Sequence, residues 1–373
     1  MRTKSKNIMT ILISADISGD EYVSRLSSAY QRKGYQTFCG SNNFFESNIV
    51  PDILHVQWPE SLYRDPSVSD MDWQEREKRV RERFLWYKTR SCVIVHTVHN
   101  LKPHEPIHPE MEAKLYETII ESADILVHHC VKSIELISKE YPAAIGKICI
   151  VCPEGSYSFD SSTEDQVKAR SNLGIPEDKF VILNFGVQRN DRMQSFTSRA
   201  FTSVRLKNKY LIIAGRPHIG AKRNVKAGWI YLKELVKRHM RFRRRKYFLR
   251  YFAKQEIPQL FSCADVVFLG HQSALDSGVL PLAASLKKPV VMPDMGCLAE
   301  EAKGWVFEMY TPRDEPSAAD AILRMHARLQ DPNLDLDNSS WLKEHSWDNY
   351  VDTVLSTAEG IEVNPRGSIQ KET

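Results

Sequence analysis

No stretch of this 373-residue chain approaches the ~20 uninterrupted apolar residues that a membrane-spanning helix needs. The basic start, Met1 to Asn7, runs into an apolar segment from Ile8 to Ile13 that is too short for the core of a signal peptide. That segment reads as a first β-strand, and the expected location is the cytoplasm. Cysteines are few, odd in number and scattered. Cys149 and Cys152 have a CxxC-like spacing, but they lie at an apolar run with no second pair. Buried thiols in a reducing compartment fit better than a zinc or redox centre. Repeats at solenoid spacing are missing as well. So is an excess of one charge, since the net charge is only +4, which disfavours nucleic acid as a partner.

What is present suits a two-domain α/β enzyme. The length suggests roughly two domains, and a 42% hydrophobic content allows two cores. Strand-like and helix-like segments alternate. The spacing predicts strands at Met9–Ser14, Tyr35–Cys39, Ile53–Gln57, Cys92–Thr97, Ile125–His128 and Ile148–Val151. Between them it predicts helices at Asp20–Lys33, Trp73–Arg90, Pro109–Ser122 and Val131–Tyr141. Such alternation argues for a doubly wound parallel sheet, whose ligands bind outside the carboxyl ends of the strands. Trp58, His99, Asn100 and His128-His129 stand at those ends.

A polar, turn-rich run from Pro153 to Ser162 suits a hinge. Strands are then expected at Phe180–Phe185, Tyr210–Ala214 and Lys246–Phe252, a helix at Gly228–Arg238, and a last helical stretch over Trp341–Ala358. Gly186, Arg189 and Arg192 follow the first of these strands. Two guanidiniums three residues apart on a strand-exit loop can clamp a diphosphate, although two solvated arginines are the plainer reading. Arg216 follows the next strand as a weaker candidate. The densest signal is Phe252 to Met292: a short helix, the β-branched run Asp265–Leu269, a polar loop ending at Asp276-Ser277-Gly278, a helix start, and the strand Pro289–Met292. A strand, a Ser-Gly turn and a helix N-terminus make an anion site, because unpaired N–H groups and the helix dipole favour phosphate.

In this order of motifs the chain resembles the GT-B glycosyltransferases, and among them the bacterial hexosyl- and mannosyltransferases of lipopolysaccharide and exopolysaccharide synthesis. The resemblance is clearest from about residue 180 to 300. It implies two Rossmann-like domains facing across a cleft: residues 1–155 for the acceptor, 160–340 for the nucleotide sugar, a helix at 341–360 returning to the first domain, and a tail at 361–373. It implies a nucleotide-diphosphate hexose as donor, a saccharide or lipid-linked saccharide as acceptor, and no cofactor or essential metal. Gly186, Arg189, Arg192, Arg216, Asp276, Ser277 and Gly278 fall to the donor. His99 resembles a histidine placed beside the donor sugar in such enzymes, and Glu105 is the candidate base should the enzyme invert, both groups being of a kind that moves protons near neutrality.

The chain departs from the family in one respect. Many members carry two glutamates with seven residues between them before the Pro-Val-Val strand, where this chain has Ala274 and Leu282. Either the donor is held mainly by the Ser277-Gly278 backbone, or the chain is a non-catalytic binding or scaffold protein on the same fold. A basic run (Arg238, Arg241, Arg243, Arg244, Arg245 and Lys246, with Met240 and Phe242 among them) offers peripheral contact with anionic lipid at the inner face of the cell membrane, or is a solvated helix end.

Overall fold

Among the described residues twelve short strands, most of them rich in Val, Ile, Leu and Phe, build two parallel six-stranded sheets. The structure is a computed structural model that describes residues 9–18, 20–65, 68–103, 106–159, 165–187, 191–216 and 244–361. The chain divides into two units, Met1–Gly155 with Glu344–Thr373 (unit 1) and Ser156–Lys343 (unit 2).

Unit 1 holds β1 (Thr10–Ile13), β2 (Gln36–Cys39), β3 (Ile53–Val56), β4 (Val93–Thr97), β5 (Ile125–His128) and β6 (Ile148–Val151), in the spatial order β2-β1-β3-β4-β5-β6. The order reverses between β1 and β3, and a crevice at the carboxyl ends of strands forms at such a point. The helix Glu21–Arg32 starts where Asp20 accepts hydrogen bonds from the Tyr22 and Val23 amides, and the chain turns away at Gly34 with φ +89°. Its face of Tyr22, Val23, Leu26, Ala29 and Tyr30 covers β1, β3, β4 and β5. The helix Trp347–Glu359 covers the same sheet face with Trp347, Tyr350, Val351 and Val354. Arg32 and Lys33 pair with Asp348 and Asp352 at 2.8 and 2.6 Å along the rim between these helices. A Cβ on Gly155 would overlap the Trp347 indole, so the chain leaves unit 1 where only glycine fits.

The expected single helical stretch over Trp341–Ala358 is two helices, Ser339–Glu344 and Trp347–Glu359. Ser346 breaks it by capping the second helix through the Asp348 and Asn349 amides. Trp341 packs in the core of unit 2, whereas Trp347 packs in that of unit 1.

Unit 2 holds β7 (Phe180–Phe185), β8 (Lys209–Ala214), β9 (Arg245–Phe248), β10 (Val266–Phe268), β11 (Val290–Pro293) and β12 (Phe307–Tyr310), in the order β12-β11-β10-β7-β8-β9. Alternate residues of β7 enter opposite cores, Val181 and Leu183 on one face, Phe180 and Ile182 on the other. A strand buried on both faces reads as a continuous apolar run, as this one does. Here the order reverses between β7 and β10. The expected helix Gly228–Arg238 lies outside the described residues. Among the described residues no helix is long and apolar enough to cross a membrane.

Candidate functional site

The strand order of unit 2 reverses beside β7, where ligands of such sheets bind, and β7, β8 and β10 each lead into a glycine at their carboxyl ends. Gly186 has φ +115° and Gly215 has φ +135°. A Cβ on Gly215 would come within 1.8 Å of the Gly186 carbonyl oxygen, so the two turns pass backbone to backbone. A Cβ on Gly186 would meet Val279 Cγ2 at 3.4 Å, which sets this turn beside the start of the helix Val279–Ser285. Gly270, after β10, leaves room for the Thr197 hydroxyl, and Asn184 on β7 donates to the Phe268 carbonyl at 2.9 Å.

Residues 271–278 form a closed loop rather than an open arm. His271 Nε2 and Ser277 Oγ are 2.9 Å apart, and the Leu275 carbonyl accepts from the Cys297 amide at 2.6 Å. Ser277 is buried, Asp276 is half-buried and Gly278 is exposed as the N-cap of the helix. Gly278 has φ −57° and ψ −11°, values open to any residue, so backbone strain does not explain glycine at this position. Leu282, at the second departure from the family pattern, is buried in the core of unit 2.

Of the two expected phosphate-clamping arginines, the structure describes the backbone of one. Arg192 belongs to the first turn of the helix Asp191–Ser203, and Arg189 lies outside the described residues. Arg216 is exposed, directly after Gly215. Of the basic run, residues 238, 241 and 243 lie outside the described residues. Arg245 and Lys246 are turned into unit 2: Arg245 donates to Ser198 O at 3.1 Å and Thr202 Oγ1 at 2.7 Å, and Lys246 donates to the carbonyls of Leu173 and Gly174. Two of the six cations are therefore engaged by the C-termini of neighbouring helices, because β9 passes between them.

In unit 1, Trp58 and His99 follow β3 and β4. The imidazole of His99 stacks on the Trp58 indole at 4.3 Å and 15°, and the edge of Tyr22 meets it at 4.8 Å. Its Nε2 lies 2.9 Å from Gln57 Oε1. Burial, with His129, His96 and His55 nearby, holds its pKa well below the usual range. His99 is therefore neutral throughout the physiological range, which corrects the expectation of a group titrating near neutrality. Burial likewise holds His96 and His129 at about 4 and His128 and His55 at about 3. Near the β1 end, a Cβ on Gly40 would come within 2.5 Å of Asp16 Oδ1. Glu105 lies outside the described residues.

Gln57, Tyr22 and Asn184 were not singled out as site residues by the sequence reading. The signal for Asn184 is an amide inside an apolar strand. Gln57 sits at the end of another such strand, next to Trp58.

No family model matches the sequence, and neither does any curated protein. Solved structures do match, over 95% of this chain in each of three examples. The sucrose-phosphate synthase of Thermosynechococcus elongatus aligns with a TM-score of 0.67 at 14% identity, covering 98% of that chain. Anabaena HepE in complex with UDP aligns with 0.62 at 14%, covering all of that chain. The catalytic domain of Arabidopsis thaliana starch synthase IV, bound to ADP and acarbose, aligns with 0.64 at 10%, covering 99%. The fold is the GT-B fold of glycosyltransferases, with two Rossmann-like parallel sheets.

Proposed function

We propose that the protein is a glycosyltransferase that moves a hexosyl unit from a nucleotide-diphosphate sugar to a saccharide or lipid-linked saccharide. The donor is assigned to unit 2 and the acceptor to unit 1. The observation that carries this reading is the meeting of the Gly186 and Gly215 turns with the start of the helix Val279–Ser285, at the point where the strand order of unit 2 reverses. Backbone bared by glycine can approach a diphosphate closely, and the first amides of a helix point outward from its start. The structural neighbours support a nucleotide ligand, since HepE was solved with UDP and with UDP-glucose. Gly278, unconstrained by its own dihedrals, is then glycine because a phosphate passes close to it. The reaction needs no essential metal in this reading, and turnover that survives a chelator would support the point.

The test is incubation with UDP-, GDP- and ADP-hexoses while following release of the nucleoside diphosphate. Release from at least one donor is expected. Tight binding without release or transfer would favour the non-catalytic scaffold that Ala274 and Leu282 keep in view. In the same assay Arg189→Ala and Arg192→Ala are each expected to weaken donor binding by a factor of ~10 to 100, the loss of one charge-assisted phosphate contact worth about 1.5–3 kcal/mol. Unchanged affinity for the nucleoside diphosphate in both variants would remove the arginines from the site.

A further inference from the structure

The loop that carries Asp276, Ser277 and Gly278 is fastened by its backbone carbonyls. At its start Tyr310 Oη, from the last residue of β12, donates to the Leu269 carbonyl at 2.6 Å. In its middle the Arg313 guanidinium donates through Nε and Nη2 to the Gln272 carbonyl at 3.3 and 3.2 Å. Toward its end the Leu275 carbonyl accepts from the Cys297 amide, and a Cβ on Gly296 would press on the carbonyl oxygens of Ala274 and Leu275. The first of these posts is rigid, since the buried Tyr310 ring stacks on Phe268 at 5.5 Å and on Phe196 at 5.8 Å.

Arg313 is the unusual post. Residues 311–314 form a turn closed by the Asp314 amide, which donates to the Thr311 carbonyl at 3.1 Å, with Pro312 second and Arg313 third. Arg313 has φ +64°. A turn with positive φ at its third residue favours glycine or asparagine, and a long side chain there costs stability. The turn is held in this shape at both ends. The Thr311 amide donates to Ser317 Oγ at 2.9 Å, and Asp314 Oδ1 accepts from the Ser317 amide at 3.0 Å as the cap of the helix Glu315–Arg328. A strained residue kept in place by its surroundings points to a task for its side chain. The contact that glycine could not make is the one to Gln272.

We propose that Arg313 is a positioning residue that fixes residues 271–278 in the shape that receives a nucleoside diphosphate. Its turn follows β12 and Gln272 follows β10, so in the order β12-β11-β10 the side chain bridges the loops on either side of β11. One carbonyl oxygen accepts both N–H groups, which pins the loop at its midpoint, and a binding loop serves its ligand only when such supports hold it to within about 0.5 Å. The ligand named here rests on the donor site proposed above; the fastening of the loop does not.

The experiment compares Arg313→Gly and Arg313→Ala with the wild type in the full chain. Both remove the side chain, but only glycine relieves the backbone, so Arg313→Gly should melt higher than Arg313→Ala. Hydrogen exchange without ligand should nevertheless quicken in both, by about 3-fold or more, at the Cys297 amide, whose acceptor is the loop carbonyl of Leu275. The amides of β10 and β11 should keep their wild-type rates. Affinity for whichever of UDP, GDP and ADP binds the wild type should fall about 3-fold or more in both variants. A residue kept only for stability would leave exchange and affinity in Arg313→Gly as they are in the wild type. That result, exchange that rises equally in β10 and β11, or equal melting of the two variants would overturn the proposal. Binding of none of the three nucleotides by the wild type counts against the donor site, and the exchange and melting results then decide the fastening by themselves.

Discussion

Acidification from pH 8 to pH 5.5 is expected to unfold unit 1 while unit 2 remains folded. His55, His96 and His128 lie on adjacent strands of one sheet, and His129 directly follows the last of these strands. All four are buried and held neutral, His55 and His128 at about 3, His96 and His129 at about 4. Their folded pKa values lie below the unfolded value of about 6.5, so the unfolded chain binds more protons as the pH falls. Their full contribution is present above pH 6.5 and is lost on the way down toward 4. Each costs on the order of 1 kcal/mol at pH 5.5, and the four together roughly 5 kcal/mol, which is the size of a domain's entire stability. Among the described residues of unit 2 no histidine is buried. Calorimetric scans between pH 8 and 5.5 should therefore show one transition moving down and vanishing while another persists. Scans that do not change over this range would mean that these histidines are accessible to protons in the folded protein.

A Gly215→Val substitution is expected to lower the melting temperature of unit 2 and to abolish donor binding together with it. The residue has φ +135°, a region that β-branched side chains avoid, and its new Cβ would collide with the Gly186 carbonyl. Neither turn can retreat easily, because the Gly186 amide donates to Ala214 O at 3.1 Å and the Gly215 amide to Phe248 O at 3.0 Å. Strain and clash together should cost about 3 kcal/mol or more, roughly 6–12 °C for a unit of this size. A thermal melt with and without UDP measures both effects. A variant that melts like the wild type and binds UDP equally well would show that the contact between the two turns has no bearing on the site.

Much of the fold was legible because buried parallel strands write themselves as apolar runs. Phe180–Phe185, Ile125–His128 and Ile148–Val151 coincide with strands, and Pro109–Ser122 with a helix. The misses have local causes. Phe307–Tyr310 is a strand of four residues that carries Glu308, whose carboxylate pairs with Arg324 and Arg328, and that charge hides it. The break at Ser346 is hidden because no Gly or Pro stands between Trp341 and Ala358 to mark it, although Trp341 and Trp347 serve two cores. In the site, glycines after strands were visible, but the back-to-back passage of Gly186 and Gly215 depends on the pairing of β7 with β8. The neutral state of His99 was illegible for a similar reason. Burial is a property of the assembled sheet, to which Trp58 and Tyr22 come from other parts of the chain.

The central claim is that unit 2 holds a nucleoside diphosphate against the turn at Gly278, through backbone and not side chain. Calorimetric titration of UDP, GDP and ADP into the wild type, Gly278→Val and Asp276→Ala tests it most directly. At least one of the three should bind the wild type. Gly278→Val should lower that affinity at least ~10-fold, since its dihedrals tolerate valine and the new side chain would crowd the phosphates, and should do so more than Asp276→Ala. Binding of none of the three, or a greater loss in Asp276→Ala than in Gly278→Val, would contradict the account.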